Sequence, residues 1–129
     1  PSSQPTSSFG SILLINWNEQ APPVGPVSNG DEISFTSLGT NTIAIELALS
    51  PGVSAVSVIF QRTFNGVTNT QIENNAPWAM LGDSGGNFNA WTPPFGEHTI
   101  TATAYTGRSG SGQVVGTITV RFTVVQNAS

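Results

Sequence analysis

Apolar and polar residues alternate with period two along most of the chain, which is the pattern of half-buried β-strands. The clearest stretch is residues 42–49, where Ile43, Ile45, Leu47 and Leu49 share one face and the residues between them share the other. Clusters of turn-forming residues separate such stretches. The pattern predicts seven strands, at residues 11–17, 32–38, 42–49, 54–64, 67–73, 97–105 and 115–125.

The turns and the number of strands together predict the fold class. Pro51-Gly52 marks a turn, and Asn65-Gly66 is a dipeptide typical of two-residue β-hairpins. We expect an all-β fold, an immunoglobulin-like antiparallel β-sandwich of seven or eight strands. Because the chain has no cysteine, apolar packing must hold the two sheets together. The alternation also turns Val56 and His98 inward. The expected core comprises Ile45, Leu47, Val58, Phe60, Ile100, Val120 and Phe122.

The boundaries of the domain follow from where the alternation begins and ends. Residues 1–8 are rich in Ser and Pro and are interpreted as a linker, residues 9–126 as a single β-sandwich module, and residues 127–129 as a tail. One segment, residues 74–96, breaks the period and is rich in Pro, Gly and aromatic residues. We interpret it as a long ordered loop with one helical turn at residues 78–81.

The charge composition excludes several classes of partner. The chain has three arginines, no lysine and seven acidic residues, for a net charge of −4. Nucleic acid requires several neutralised phosphates, and a membrane surface requires a basic amphipathic segment, so we expect neither partner. No apolar run approaches the roughly 20 residues that span a bilayer. Few charges with many hydroxyls, amides and aromatics are common in secreted bacterial modules, so we predict an extracellular location.

Residues 82–86 spell GDSGG, the sequence around the nucleophile of chymotrypsin-like serine proteases. A seryl nucleophile needs a base within hydrogen-bond reach, and the chain has a single histidine, His98. His98 follows Ser84 in the chain, whereas those proteases place their histidine before the serine. We therefore interpret GDSGG as a glycine-rich turn, His98 as a packed strand residue, and the chain as not an enzyme.

Three side-chain oxygens in the same segment have a spacing similar to calcium loops. Asp83, Asn87 and Asn89 lie at positions i, i+4 and i+6, but Pro94 stands where such a loop carries a bidentate glutamate. Asx-turns, in which Asp and Asn bond their own backbone, explain the same residues. We expect no cofactor, with calcium at these three residues as the alternative.

Four aromatic residues crowd into residues 74–96, beside amides and carboxylates. Flat apolar rings next to polar groups suit sugars, which present C–H faces to rings and hydroxyls to polar side chains. The alternative is that the loop folds its rings inward as a satellite core. The candidate ligand-binding residues are Trp78, Trp91, Phe88 and Phe95 for stacking, with Asn87, Asn89 and Glu73 as polar partners.

Two runs of the sequence resemble a known repeat. Residues 73–93 (ENNAPWAMLGDSGGNFNAWTP) and 96–105 (GEHTITATAY) are similar to ENxAPYALxGDxxGxYxxWxP and GxHTLTATPY. These motifs are typical of an immunoglobulin-like repeat of large secreted bacterial proteins, many of them marine. The likeness covers roughly residues 11–125. It departs at Trp78 (usually Tyr), at Ala104 (usually Pro), and at residues 16–18, where the family more often has an acidic pair.

The resemblance implies an extracellular accessory module, because such repeats occur beside malectin-like and polysaccharide-active domains. It transfers no catalytic or binding residue to this chain. The sequence predicts a non-catalytic carbohydrate-binding module of a secreted polysaccharide-active protein, monomeric within a longer multidomain chain. Its expected ligand is a neutral or weakly charged polysaccharide. The alternative is a structural spacer or adhesive repeat.

Overall fold

The structure, a computed structural model, describes residues 9–19, 23–75, 78–84 and 87–127. The predicted linker at residues 1–8 lies outside them, as do the last two residues of the predicted tail. The side chains of Asp83, Ser84 and Asn87 are also outside the description. The described strands are β1 (Gly10–Asn16), β2 (Gly25–Pro26), β3 (Asp31–Ser34), β4 (Ile43–Leu49), β5 (Ser57–Phe64), β6 (Val67–Glu73), β7 (Trp78–Ala79), β8 (Asp83–Ser84), β9 (Asn87–Phe88), β10 (Gly96–Tyr105) and β11 (Val114–Val125).

Two packed sheets form an all-β sandwich, as the alternation predicts. One sheet has the order β2-β1-β4-β7, the other β3-β11-β10-β5-β6, and β8 pairs with β9 in a separate hairpin. In immunoglobulin-like sandwiches the first two strands share one sheet and the last two strands share the other with a central strand. If the short strands β2 and β3 are set aside, the first two strands here are β1 and β4, which share one sheet. The last two strands, β10 and β11, share the other sheet with β5. Within the described sheets, β3 and β11 are the one parallel pair.

The core lies between the two sheets and contains all seven residues predicted for it. Each of those side chains is at most 2% exposed. Alternation places them because one face of each strand meets the opposite sheet. Burial of His98 is also confirmed, at 1% exposure.

The predicted second strand is half wrong. β3 ends at Ser34, and Phe35–Leu38 forms one helical turn, α1. The Ser34 hydroxyl accepts a hydrogen bond from the Ser37 backbone N–H at 3.2 Å, and Gly39 closes the turn with φ of 76°. A serine cap and a left-handed glycine stabilise a helical turn against the strand pattern.

Two further expectations are corrected by where the strands begin and by how they pair. Val56 was predicted to point inward, but β5 begins only at Ser57 and Val56 is 42% exposed. The helical turn predicted at residues 78–81 is wrong, because Trp78–Ala79 forms β7, opposite Glu46 and Leu47 of β4. The loop predicted at residues 74–96 is interrupted by three two-residue strands, β7, β8 and β9. Among the described residues, no helix is long and apolar enough to cross a bilayer.

Candidate functional site

The inner face of the five-stranded sheet changes from apolar to polar toward its β6 edge. Ile100 of β10 lies opposite Arg62 of β5, which lies opposite Asn69 of β6. In the next row Phe60 lies opposite Gln71. The facing sheet ends at β7, which has only two residues. The polar end of these rows therefore borders a groove instead of a packed core.

Two adjoining cavities form this groove, and both are lined by Arg62 and Asn69. The first has a volume of about 190 Å³ and is also lined by Gln71 and Leu81. The second has a volume of about 260 Å³ and reaches Trp91. The lining of the second cavity comprises Arg62, Phe64, Asn65, Val67, Asn69, Trp91, Pro94 and His98. We call these two cavities the β6 groove; it joins apolar surface to a few amides and one guanidinium, the usual mixture in ligand sites.

Trp91 is the aromatic wall of the β6 groove. Its backbone forms an isolated bridge with Ile43 of β4, with two hydrogen bonds of 2.9 Å, so the main chain is fixed to the sheet edge. The ring is half-buried. The Arg62 guanidinium carbon lies over it, 5.5 Å from the ring centroid, in a cation–π contact. The ring and the cation thus form one joined surface.

His98 lies beneath this wall and is enclosed by rings. Phe64 stacks on it at 4.5 Å between centroids, Phe122 at 5.6 Å on a similar plane, and Trp91 meets it edge-on at 5.4 Å. Its Nε2–H donates to the Pro94 carbonyl at 2.8 Å, while the buried Nδ1 has no hydrogen-bond partner among the described residues. Burial lowers the pKa of His98 from its ordinary 6.5; the Pro94 hydrogen bond raises it in part, and the Arg62 charge lowers it further.

This buried histidine predicts a loss of stability on mild acidification. Below about pH 6.5 the unfolded chain protonates His98 while the folded chain does not, so the unfolded state is favoured as the pH falls toward the lower folded pKa. We expect the free energy of unfolding, measured by urea titration, to decrease from pH 7.5 to 5.5. His98→Phe should remove most of that decrease, since the chain has one histidine. An unchanged pH slope in the variant would contradict the assignment.

Glu46 has the opposite effect on the pH dependence of stability. Burial raises the pKa of this carboxyl above its ordinary 4.5. The folded state therefore binds a proton before the unfolded state does, and stability gains as the pH falls through that raised value. Because Glu46 is present in both the wild type and His98→Phe, the difference between their pH slopes reports the His98 effect alone.

Three of the candidate residues lie at or beside the groove. Trp91 lines it. The Glu73 carboxylate accepts a 2.6 Å hydrogen bond from the side-chain amide of Gln71, which lines the smaller cavity. Asn89 donates through Nδ2 to the Leu81 carbonyl at 2.9 Å and so fixes another lining residue. Glu73 and Asn89 therefore hold the groove's wall.

Gly82 allows these polar side chains to converge. A Cβ at this position would lie 3.3 Å from Glu73 Oε2 and 3.4 Å from Asn89 Nδ2. Its φ of 82° is also one that side chains with a Cβ rarely adopt. The backbone conformation therefore favours glycine here, and a Cβ would also crowd the Glu73 carboxylate.

The other three candidate rings are not part of the lining of the groove. Trp78 is half-buried on β7 and packs against the core. Phe88 is half-buried, and its carbonyl accepts a 2.8 Å hydrogen bond from Trp17 Nε1. Phe95 is 56% exposed but contacts Phe35, with ring centroids 5.5 Å apart. Of the four candidate stacking rings, Trp91 is therefore the one that lines the β6 groove.

The segment considered for calcium and for a nucleophile forms a small hairpin. Asp83 pairs with Phe88, and Ser84 with Asn87, through the backbone of β8 and β9. The candidate Asn87 lies here, with its side chain outside the described part. Among the described residues, no group of three or more His, Asp or Glu side chains is arranged to hold a metal. Calcium at Asp83, Asn87 and Asn89 stays a prediction.

Sequence reasoning missed Arg62, Asn69 and Gln71. The sequence does contain a signal for Arg62, because the alternation that places Phe60 inward also places Arg62 inward. In β6 the same face carries Val67, Asn69, Gln71 and Glu73, so the strand is mostly polar on a face that should meet the core. An inward arginine beside an inward polar strand indicates an opening in the sandwich.

Two other cavities lack the groove's chemistry. One of about 410 Å³ lies at the opposite, β3 edge, and one of about 520 Å³ lies around Glu97 and Arg121. Neither is lined by an aromatic ring. Of these sites, the β6 groove is the one whose lining combines an aromatic ring with several side-chain amides.

No protein-family model, curated protein or solved structure matches this chain.

Proposed function

We propose that this chain is a non-catalytic carbohydrate-binding module of a secreted polysaccharide-active protein, and that polysaccharide binds in the β6 groove. The observation that carries the proposal is that the β6 groove is lined by both the Trp91 ring and side-chain amides. A sugar ring offers its C–H face to the indole, and its hydroxyls exchange hydrogen bonds with Asn69 and Gln71. Bacterial origin and a multidomain parent protein belong to the same proposal.

The ligand class follows from charge. A net charge of −4 with three cations disfavours a densely sulfated chain. A neutral or weakly charged polysaccharide fits the groove better. Each neutral hydrogen bond contributes only about 0.5–1.5 kcal/mol after water is displaced, so we expect a Kd between about 1 μM and 1 mM.

The absence of catalysis is part of the proposal. His98, the chain's one histidine, donates its Nε2–H to a backbone carbonyl and is enclosed by rings. An imidazole held in this way is poorly suited to accept a proton from a serine, because its free nitrogen, Nδ1, is buried.

A spacer role is the second candidate, and one observation favours it. Trp78 and Trp91 both pack against the core in part, as rings of a satellite cluster would. In a pure spacer these side chains contribute to stability and bind nothing.

Affinity electrophoresis tests the two candidates against each other. We expect migration of the domain to be retarded by at least one member of a panel of plant and algal polysaccharides that includes neutral glucans, mannans, xylans and pectins. Serum albumin in the same gels controls for viscosity. Unretarded migration in every gel would contradict carbohydrate binding and favour the spacer.

A further inference from the structure

Arg62 differs from the other two cations of the chain. Arg121 forms an exposed ion pair with Glu97, with 3.8 Å between Nε and Oε2. Arg108 is exposed in a surface turn. Arg62 is half-buried on the inner face of β5, and no described carboxylate lies within ion-pair distance of it. Its guanidinium contacts the Trp91 ring, and its charge also acts on the neighbouring His98.

An unpaired, partly desolvated guanidinium is costly unless an anion meets it. Burial already lowers the pKa of Arg62, although the group stays charged at neutral pH. A planar carboxylate matches the guanidinium fork with two parallel hydrogen bonds. A carboxylate brought by a ligand would therefore gain an interaction that the folded chain itself does not supply.

We propose that the β6 groove recognises a uronate, the carboxylate-bearing sugar, within a weakly charged polysaccharide, and that Arg62 binds its carboxylate. This inference rests on the proposed function and specifies its ligand. The uronate ring would lie along Trp91, with its hydroxyls toward Asn69 and Gln71, which stand in the same rows as Arg62 and Phe60.

The surroundings favour one carboxylate over a heavily charged ligand. His98 lines the same cavity, but its lowered pKa leaves it neutral at pH 7 and adds no second cation. Sulfate clusters need several cations, whereas an isolated uronate needs one. The specificity should therefore lie in the match between one carboxylate and one guanidinium.

Isothermal titration calorimetry with matched oligosaccharides tests this inference. The probes are oligogalacturonate and oligomannuronate, each beside its fully methyl-esterified form, at pH 7. We expect at least one acid form to bind about ten- to hundredfold more tightly than its ester, since hydrogen bonds to charged groups contribute more than neutral ones. Arg62→Gln should remove this preference, so that the acid and the ester bind the variant with similar affinity.

The controls separate charge from packing. Arg62→Lys keeps the positive charge but loses the fork, so it should retain only part of the preference. Arg108→Gln removes an exposed cation of the same type and should leave both affinities unchanged. Thermal melts of each variant establish that the fold is intact.

Failure of the inference is distinguishable from failure of the proposed function. Equal binding of acid and ester, or a preference that survives in Arg62→Gln, would overturn uronate recognition and leave polysaccharide binding standing. Binding of neutral glycans alone would do the same. Absence of binding to every acidic, esterified and neutral glycan would overturn both.

Discussion

Phe122→Ala is expected to lower the free energy of unfolding by about 3–5 kcal/mol. Phe122 is 1% exposed and lies opposite His98 in the β10–β11 pair, where the two rings stack. Its removal leaves a cavity in the middle of the sandwich, which the flanking strands cannot close without breaking their ladders. Urea unfolding at pH 7.5 measures the loss, which is a large share of the roughly 5–15 kcal/mol expected of a domain.

Val114→Ala is the matched control. Val114 starts the same strand and is 58% exposed, so its truncation should change the free energy of unfolding by no more than about 0.5 kcal/mol. Losses of equal size in the two variants would contradict the assignment of Phe122 to the core.

The core was predictable because it depends on strand alternation alone. Along the central parts of β4, β5, β10 and β11, alternate residues meet the opposite sheet, so reading the period from the sequence is enough to place Ile45 or Phe122 inside. His98 follows the same rule. It is buried because of its inward-facing position in the strand, although histidine is a polar residue.

The local errors arise where a neighbour in space decides the conformation. Residues 32–36 alternate as a strand would, but the Ser34 cap and Gly39 enclose a helical turn that buries Phe35. Residues 78–79 pair with β4, whose edge offers backbone groups at Glu46 and Leu47. The local sequence of residues 78–79 does not show that the edge of β4 is free to pair with them.

The β6 groove was half predictable. Trp91 was a candidate from its ring chemistry alone, whereas Arg62 and Asn69 become neighbours only through the β5–β6 register. The groove also exists because the facing sheet ends at a two-residue strand, β7. The sequence of β6 carries the hint, since a strand that met a full opposing sheet would need apolar residues where Asn69 and Gln71 stand.

Trp91→Ala is expected to abolish retardation by the polysaccharide that binds the wild type. Trp91 is the groove's one tryptophan, and buried tryptophan anchors typically contribute at least about 2 kcal/mol to binding, equivalent to roughly thirtyfold in Kd. The substitution also leaves Arg62 without its ring partner. Affinity electrophoresis and calorimetry measure the loss, and far-UV circular dichroism with a thermal melt establishes that the sheets remain.

The design must separate lost stacking from lost packing, because Trp91 also contacts His98. Trp91→Phe keeps an aromatic ring against His98 with less stacking area, and it should retain the fold with weakened binding. Asn69→Ala removes an exposed amide of the groove and should weaken binding without lowering the melting temperature. Trp17→Ala removes a tryptophan outside the groove and should bind as the wild type does. If Trp91→Ala unfolds while Trp91→Phe and Asn69→Ala are retarded as strongly as the wild type, Trp91 is a core residue and polysaccharide binds elsewhere.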